Sequence, residues 1–215
     1  MESAICPSVP DGTHLIETFA LTSGGVVRLD LHLARMARSA EALGFSFDAG
    51  RVHALLAETG ATTPQRARLT LAQDGTLDLG TAPLPAPASE PWKIAIHPVR
   101  LRSDNPFLRH KTTQRALYND ARAALPDGVD EWLFLNERDE LCEGTITNIA
   151  LLIDDIWRTP PLSSGCLPGT YRQHLLDEGK VEEVAIAVED VRRASKVILM
   201  NALRGEIAAE IIPLA

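Results

Sequence analysis

The segment PLPAPASEP, residues 83–91, constrains the fold more than any other stretch, because it holds four prolines in nine residues. Proline fixes φ and lacks a backbone N–H, so this segment cannot continue a helix or a central strand. The spacing of apolar residues also differs before and after it. The sequence therefore predicts two domains, a small N-terminal one over residues 1–88 and a larger C-terminal one over residues 89–215.

The residues before this segment predict a small α+β unit. Apolar alternation around a glycine turn is typical of a hairpin, and apolar residues three and four apart are typical of a helix. Aspartate before a helix and glycine after it are common cap and stop signals. The predicted elements are strands over residues 15–21 and 26–31, a helix that ends at Gly44, a helix from Asp48 to about Thr59, and a hairpin around Asp74 and Gly75.

The residues after the proline-rich segment alternate between strand-like and helix-like patterns, which predicts an α/β fold class with α+β character. β-branched and aromatic residues dominate the strand-like runs. The predicted elements are strands over residues 93–98, 131–136, 140–153, 181–187 and 196–203, and helices over residues 113–125 and 170–178.

Charge and hydropathy argue against nucleic acid and membrane partners. The formal net charge is -8, whereas a protein that binds a phosphate backbone needs a basic face. No apolar run reaches the ~18 residues that span a bilayer. The N-terminal stretch MESAICPSVPDG lacks the basic start and apolar centre of a secretory signal, so we expect a cytoplasmic protein.

The three cysteines, Cys6, Cys142 and Cys166, are odd in number and widely spaced. This pattern fits neither a disulfide framework nor a zinc site. We expect reduced core or loop thiols and no metal.

Lys111, in the stretch RHKTTQRALYND, is the first candidate for chemistry. A lysine amine becomes an imine-forming nucleophile only when it can be neutral, which burial or a neighbouring cation favours. Arg109 and His110 precede it directly. The alternative is a solvated surface lysine, as most lysines are.

Glu143 is the second candidate, in ELCEGTITNIALL. If its side chain points inward, it is a buried carboxylate that needs a cationic partner. The alternative is a turn residue that faces water.

Two further segments can present polar groups at the end of an element. In CLPGTYRQHLL, Pro-Gly-Thr opens a helix, so backbone amides, the Thr170 hydroxyl and the positive helix end form an anion site, unless Thr170 is an ordinary N-cap. In MNALRG, an apolar strand runs into Asn201 and Arg204, at a sheet end where sites often lie. An ordinary loop is the alternative there.

Together and in this order, the segments HKTT, NERDELCEGTITNIALL, TPPLSSGCLPGTYRQHLL and VILMNALRG resemble the fold-type IV pyridoxal phosphate enzymes. That family includes branched-chain and D-amino acid aminotransferases and aminodeoxychorismate lyases, and the nearest likeness is to lyase-like domains. HLIETFAL and LDLHLARMARSAEAL resemble its small N-terminal domain. The resemblance implies a larger C-terminal domain with a mixed sheet or pseudo-barrel, pyridoxal 5'-phosphate as cofactor, a small-molecule amine as substrate and a homodimer.

The resemblance also implies a role for individual residues. Lys111 would form the Schiff base with the cofactor and move the substrate proton, and Glu143 would accept a hydrogen bond from the ring nitrogen. Arg35, in HLARM, would reach the phosphate; its alternative is a solvated arginine on a helix face. The remaining cofactor-binding candidates are Thr147, Asn148, Gly169, Thr170, Asn201 and Ala202, and the candidates for a substrate carboxylate are Arg204, Arg28 and Arg109.

Two features depart from the family pattern. The aromatic-Gly-Asp-Gly start is reduced to VPDGTHLIET, and Ala202 stands where lyase-like strings often have serine. The reaction that the resemblance implies is release of pyruvate from 4-amino-4-deoxychorismate, which leaves p-aminobenzoate for folate synthesis. The alternatives are a class IV aminotransferase and a non-catalytic assembly partner of a synthase subunit.

Overall fold

The computed structural model describes residues 9–213, so Cys6 and most of the N-terminal stretch lie outside the described residues. The chain forms two compact units. The first contains the described residues up to Pro85 together with His110–Gln114, and the second contains Ala86–Arg109 and the chain from Arg115 onward. The boundary lies inside the proline-rich segment, whereas the return of His110–Gln114 to the first unit is not predicted by the sequence. The assignment of 1–88 and 89–215 as separate domains stays a prediction.

The first unit has an antiparallel sheet whose strand order is β2-β1-β3-β4. Alternate residues of β1 face two helices, and the apolar core lies between them. Its elements are β1 Leu15–Thr22, β2 Gly25–Val26, α1 Leu29–Leu43, α2 Ala49–Thr59, β3 Gln65–Leu71 and β4 Leu77–Pro83.

The predicted strand over 26–31 is wrong, because β2 ends at Val26 and α1 begins at Leu29. Arg28 adopts a left-handed conformation with φ of 59°, which ends the extended backbone. Other local signals are confirmed: Gly44 ends α1 in the left-handed region, and the Asp48 carboxylate accepts the Gly50 N–H at 2.8 Å.

The second unit is built on an eight-stranded mixed sheet with the order β10-β9-β8-β11-β12-β5-β6-β7. The neighbours β10/β9, β12/β5 and β5/β6 are parallel and the others are antiparallel. Its elements are β5 Trp92–Leu101, α3 Ala116–Ala123, β6 Glu131–Asn136, β7 Leu141–Gly144, β8 Asn148–Ile153, β9 Ile156–Thr159, α4 Thr170–Asp177, β10 Glu182–Glu183, β11 Lys196–Asn201 and β12 Gly205–Ile211.

This sheet curls, and the short connection between β7 and β8 shows why. The two strands stand five places apart in the sheet order, which in a flat sheet is about 24 Å. The chain from Gly144 to Asn148 spans at most about 14 Å. The sheet must therefore bend back on itself, which confirms the predicted mixed sheet with pseudo-barrel character.

Three predicted elements of the second unit need correction, and two of its strands are not predicted. The strand over 140–153 is interrupted at 145–147, the strand over 181–187 is reduced to Glu182–Glu183, and β9 and β12 are not predicted. The predicted helix over 113–125 begins only at Ala116, because residues 111–113 pair with β1 instead. Long-range pairing decides each of these cases, and local pattern does not encode it.

The two cysteines in the described part of the chain, Cys142 and Cys166, are buried and form no disulfide. Burial raises the pKa of both thiols, that of Cys166 to about 12, so they are poor nucleophiles. Among residues 9–213, no helix is long and apolar enough to cross a bilayer.

Candidate active site

Lys111 is held by strand pairing rather than by a helix. Its backbone carbonyl accepts the N–H of Ile16 from β1 at 2.8 Å, and the Thr113 N–H donates to the carbonyl of His14 at 2.9 Å. An isolated bridge between Leu15 and Thr112 lies between these two bonds. The half-buried lysine therefore has its backbone fixed by β1 in the first unit.

Arg35 belongs to a buried charged cluster in the same unit. Its Nε donates to Glu17 Oε1 at 2.8 Å and its Nη2 to Glu17 Oε2 at 2.6 Å. The Nδ1 of His32 hydrogen-bonds to the same carboxylate at 2.5 Å. Arg35 is only 4% exposed, so the alternative of a solvated arginine is wrong. Its contact with a phosphate stays a prediction.

Glu17 is not among the residues predicted from the sequence. The signal was present, because a carboxylate in the inward phase of the alternating strand LIETFALT must be buried. Burial opposes ionisation, but the guanidinium of Arg35 and the hydrogen bonds from His32 and Arg35 outweigh it. They hold the pKa of Glu17 at about 2. The cluster therefore contains a carboxylate that stays ionised and fixes Arg35 in place.

Glu143 lies on β7 and is buried, so the alternative of a turn residue facing water is wrong. Two donors hold its carboxylate: the Tyr118 hydroxyl donates to Oε1 at 2.7 Å, and the Leu167 backbone N–H donates to Oε2 at 2.9 Å. Tyr118 comes from α3 and Leu167 from the loop before α4. Charge-assisted hydrogen bonds of this kind stabilise a carboxylate that has been taken out of water.

The turn 145–147, between β7 and β8, is organised by a second carboxylate that is not predicted from the sequence. Glu131 is fully buried at the start of β6. It accepts the backbone N–H groups of Thr145 and Ile146 at 3.1 and 3.2 Å, and the Thr145 hydroxyl as well. Thr147, a predicted cofactor residue, is buried and lies 3.4 Å from Glu131 through its hydroxyl. Glu131 thus sets the conformation of the turn that carries Thr147.

Asn148, Gly169 and Thr170 are brought together in the second unit. The Asn148 side-chain amide donates to the Leu167 carbonyl at 2.9 Å. A Cβ atom on Gly169 would lie 1.9 Å from Asn148 Oδ1, so any other residue there would displace the Asn148 amide. Gly169 is the N-cap of α4 and Thr170 is its first residue, so the alternative of Thr170 as an N-cap is wrong.

Asn201 is the last residue of β11, and Ala202 lies in the turn that follows, which we call the Asn201 turn. The Asn201 Oδ1 accepts the backbone N–H groups of Leu203 at 3.1 Å and Arg204 at 2.9 Å. Its Nδ2 donates to the Ile146 carbonyl at 3.4 Å, which ties this turn to the turn 145–147. Sequence segments about 55 residues apart therefore meet at one end of the curled sheet.

The three arginines predicted to bind a substrate carboxylate lie in different places. Arg204 follows the Asn201 turn, and its guanidinium lies 5.3 Å from the centre of the Trp92 ring. Burial lowers its pKa, and so does the nearby charge of Arg122. Arg28 is a half-buried residue of the first unit, and Arg109 is exposed at the end of a short 3-10 turn, Pro106–Arg109. The structure thus associates Arg204 alone of the three with the Asn201 turn.

The donor set of the second unit fits a pyridoxal phosphate group. A buried, hydrogen-bonded carboxylate such as Glu143 suits a protonated ring nitrogen. The start of α4 at Thr170 offers helix amides and a hydroxyl to a phosphate, next to a glycine that keeps the backbone open. A family model described as amino-transferase class IV matches residues 14–212.

The chain belongs to the class IV aminotransferase family. The "putative aminodeoxychorismate lyase" of Schizosaccharomyces pombe is 28% identical over 204 residues, which cover 89% of this chain and 87% of that protein. The aminodeoxychorismate lyase of Saccharomyces cerevisiae is 31% identical over 133 residues, covering 53% of this chain and 35% of that protein.

A solved structure from Mesorhizobium loti, a "putative amino-acid aminotransferase", is also similar to this class IV chain. It is 40% identical, covers 93% of this chain and 100% of its own, and superposes with a TM-score of 0.88. The predicted family, the fold-type IV architecture and the likeness to aminodeoxychorismate lyases are confirmed. This class IV chain is therefore an enzyme of a pyridoxal phosphate family.

Proposed function

We propose that this class IV enzyme is a pyridoxal phosphate-dependent 4-amino-4-deoxychorismate lyase that releases pyruvate and p-aminobenzoate. The observation that carries the proposal is the likeness to the S. pombe protein along 87% of that protein's length. A lyase and an aminotransferase of one family share their cofactor contacts and differ in the chemical step after the substrate proton has been removed. The fold alone therefore does not distinguish a lyase from an aminotransferase, and the likeness to the near full-length S. pombe protein favours the lyase.

In this proposal the residues of the second unit hold the cofactor. Glu143 accepts the hydrogen bond of the ring nitrogen, and Gly169 and Thr170 bind the phosphate at the start of α4. Thr147, Asn148, Asn201 and Ala202 line the phosphate end. Their connection through Leu167 and Ile146 supports a common role.

The residues of the first unit supply the reactive amine and a cation. Lys111 would hold the cofactor through its amine, and the same amine would move the substrate proton. Arg35, fixed by Glu17, supplies positive charge for the phosphate. When bound, the cofactor withdraws electrons from the carbon that loses its proton. Arg204 is the candidate for a substrate carboxylate, ahead of Arg28 and Arg109.

Absorption spectroscopy tests the cofactor roles. The purified enzyme with pyridoxal phosphate should show a band near ~410–430 nm that borohydride removes while it fixes the cofactor to Lys111. The Lys111→Ala variant should show neither the band nor the reduced adduct. Lys180→Ala is the matched control, since Lys180 is exposed and forms a surface ion pair with Glu178. An unchanged adduct in Lys111→Ala contradicts the assignment.

Product analysis tests the reaction. With 4-amino-4-deoxychorismate, the lyase should form pyruvate and p-aminobenzoate in equal amounts and need no keto acid acceptor. Glutamate formed from 2-oxoglutarate and an amino acid, with no pyruvate from the chorismate derivative, would contradict the lyase. It would support a class IV aminotransferase acting on branched-chain or D-amino acids, which the 40% identity to the M. loti protein favours as the second candidate.

We further propose a cytoplasmic enzyme of folate biosynthesis that works as a homodimer. Membership of the class IV aminotransferase family and the likeness to the S. pombe protein support this assignment. Light scattering after size exclusion should give about twice the chain mass of 23.3 kDa. A mass equal to one chain would contradict the dimer.

A further inference from the structure

Tyr118 is a half-buried residue whose hydroxyl donates a hydrogen bond to Glu143, and it has no role in the function proposed above. It lies on α3, 25 residues from Glu143 in sequence, and its hydroxyl donates to Glu143 Oε1 at 2.7 Å. Its ring packs edge-on against Phe134 of β6, with 5.3 Å between the ring centres. Aromatic packing and the hydrogen bond together hold the hydroxyl at one place.

The hydroxyl stays protonated under ordinary conditions. Burial raises the pKa of Tyr118 well above its usual value, and the neighbouring charge of Glu143 raises it further. A phenol in this state is a permanent donor, and it cannot accept a proton from the site. Glu143 therefore receives a fixed hydrogen bond on one oxygen while the Leu167 N–H occupies the other.

A carboxylate can accept about four hydrogen bonds, and the Tyr118 hydroxyl and the Leu167 N–H supply two of those to Glu143. Each bond to the ionised form makes the carboxylate a weaker base. A weaker base leaves a shared proton on its partner. The number and strength of the hydrogen bonds donated to Glu143 thus determine whether a shared proton lies on the Glu143 carboxylate or on its partner.

We propose that Tyr118 is a positioning residue that orients Glu143 and keeps the proton on the ring nitrogen of the cofactor. This inference rests on the proposed function, because it takes Glu143 as the partner of that nitrogen. Without the phenol, the Glu143 side chain loses the hydrogen bond that holds Oε1 and becomes more basic. The proton then shifts toward Glu143, and the ring loses the positive charge on which electron withdrawal depends.

The ¹⁵N chemical shift of the ring nitrogen in bound ¹⁵N-labelled pyridoxal phosphate reports the proton directly and requires no turnover. In the Tyr118→Phe holoenzyme, we expect a smaller fraction of the ring nitrogen to be protonated than in the wild type at the same pH, because more of the shared proton lies on Glu143. The dissociation constant of the cofactor should also rise about tenfold, as for loss of one hydrogen bond to a charged group. Tyr171→Phe is the control, because Tyr171 is the chain's second tyrosine and its hydroxyl lies 3.3 Å from the exposed Glu206.

A second variant keeps the test informative if Tyr118→Phe folds poorly. In the Tyr171→Phe background, 3-fluorotyrosine replaces Tyr118 alone without changing the shape of the ring appreciably. Its more acidic hydroxyl is a stronger donor, so a larger fraction of the ring nitrogen should be protonated than in the Tyr171→Phe protein at the same pH. Circular dichroism of each variant verifies the fold.

Combining Tyr118→Phe with Glu143→Gln tests whether the phenol acts through the carboxylate. The double variant should bind the cofactor no more weakly than Glu143→Gln alone. Additive losses, or a ¹⁵N titration that neither Tyr118→Phe nor fluorotyrosine moves, overturn the inference and leave the proposed function standing. A wild-type protein that binds no pyridoxal phosphate overturns both.

Discussion

The buried carboxylate of Glu17 illustrates how one residue links stability to pH. Its contacts with Arg35 and His32 hold its pKa at about 2 in the folded chain, below the ordinary value of 4.5. Because the folded pKa is depressed, the stabilising contribution is fully present above about pH 4.5 and is lost as the pH falls toward about 2. Urea unfolding of the wild type across this window should therefore show stability declining with acidity.

The Glu17→Gln variant should lose about 3–5 kcal/mol of unfolding free energy at neutral pH, because it leaves a buried arginine without its carboxylate. The difference between variant and wild type should shrink as the pH falls from about 4.5 to about 2. Glu41→Gln, on the exposed side of α1, is the control and should change little. A difference that stays constant with pH would contradict the assigned ion pair.

Gly169 leaves space for the Asn148 side chain because it has no Cβ atom of its own. The Gly169→Ala methyl group would lie 1.9 Å from Asn148 Oδ1 and displace the amide that binds the Leu167 carbonyl. We expect a loss of about 1–3 kcal/mol in urea unfolding, together with weaker cofactor binding. In Gly80→Ala the new methyl group meets no atom within 4 Å, so its stability should stay within about 0.5 kcal/mol of the wild type. Equal effects of the two substitutions would contradict the steric explanation.

At the scale of elements, the connection between β7 and β8 depends on a side chain from a third strand. Glu131 of β6 accepts two backbone N–H groups and a hydroxyl from the turn 145–147. In Glu131→Gln, an NH₂ group replaces one of the accepting oxygens. This group cannot accept hydrogen bonds from these donors. We expect a loss of about 3 kcal/mol in stability and faster hydrogen exchange of the Thr145 and Ile146 amides.

Glu210→Gln is the control for this prediction, since Glu210 is exposed on β12. Its stability and exchange rates should match those of the wild type. Unchanged exchange at Thr145 and Ile146 in Glu131→Gln would mean that the turn is determined by its own sequence. Cofactor affinity measured on the same samples would then show whether Thr147 and Asn148 keep their positions.

At the scale of the whole molecule, the first unit is not one continuous stretch of chain. Residues 111–113 complete the edge of β1 through the Ile16 N–H and the His14 carbonyl, and the His14 N–H donates to the Thr113 hydroxyl. A fragment of residues 1–88 lacks these contacts. We expect it to be about 3–4 kcal/mol less stable than the same fragment with residues 109–115 attached by a Gly/Ser linker. Equal stability of the two fragments in urea would contradict this contribution of the returning segment.

The sequence by itself determined the features that depend on neighbouring residues. Gly44 ends α1, Asp48 caps α2, and Asp74 with Gly75 turns the hairpin between β3 and β4, because backbone conformation and capping are local properties. The order of four motifs also sufficed to recognise the family, which the match of the class IV aminotransferase model to residues 14–212 confirms.

Only the tertiary structure decided which distant residues become partners. Glu17 meets Arg35, Tyr118 meets Glu143, and Glu131 organises the turn 145–147. The alternation of β1 indicates that Glu17 is buried, but the local pattern does not identify the partner of any of these carboxylates. The same is true of β12 and of the pairing of Lys111 with β1, which replaces the predicted start of a helix. Such contacts are selected by the burial of polar groups that need partners, and burial is a property of the folded chain as a whole.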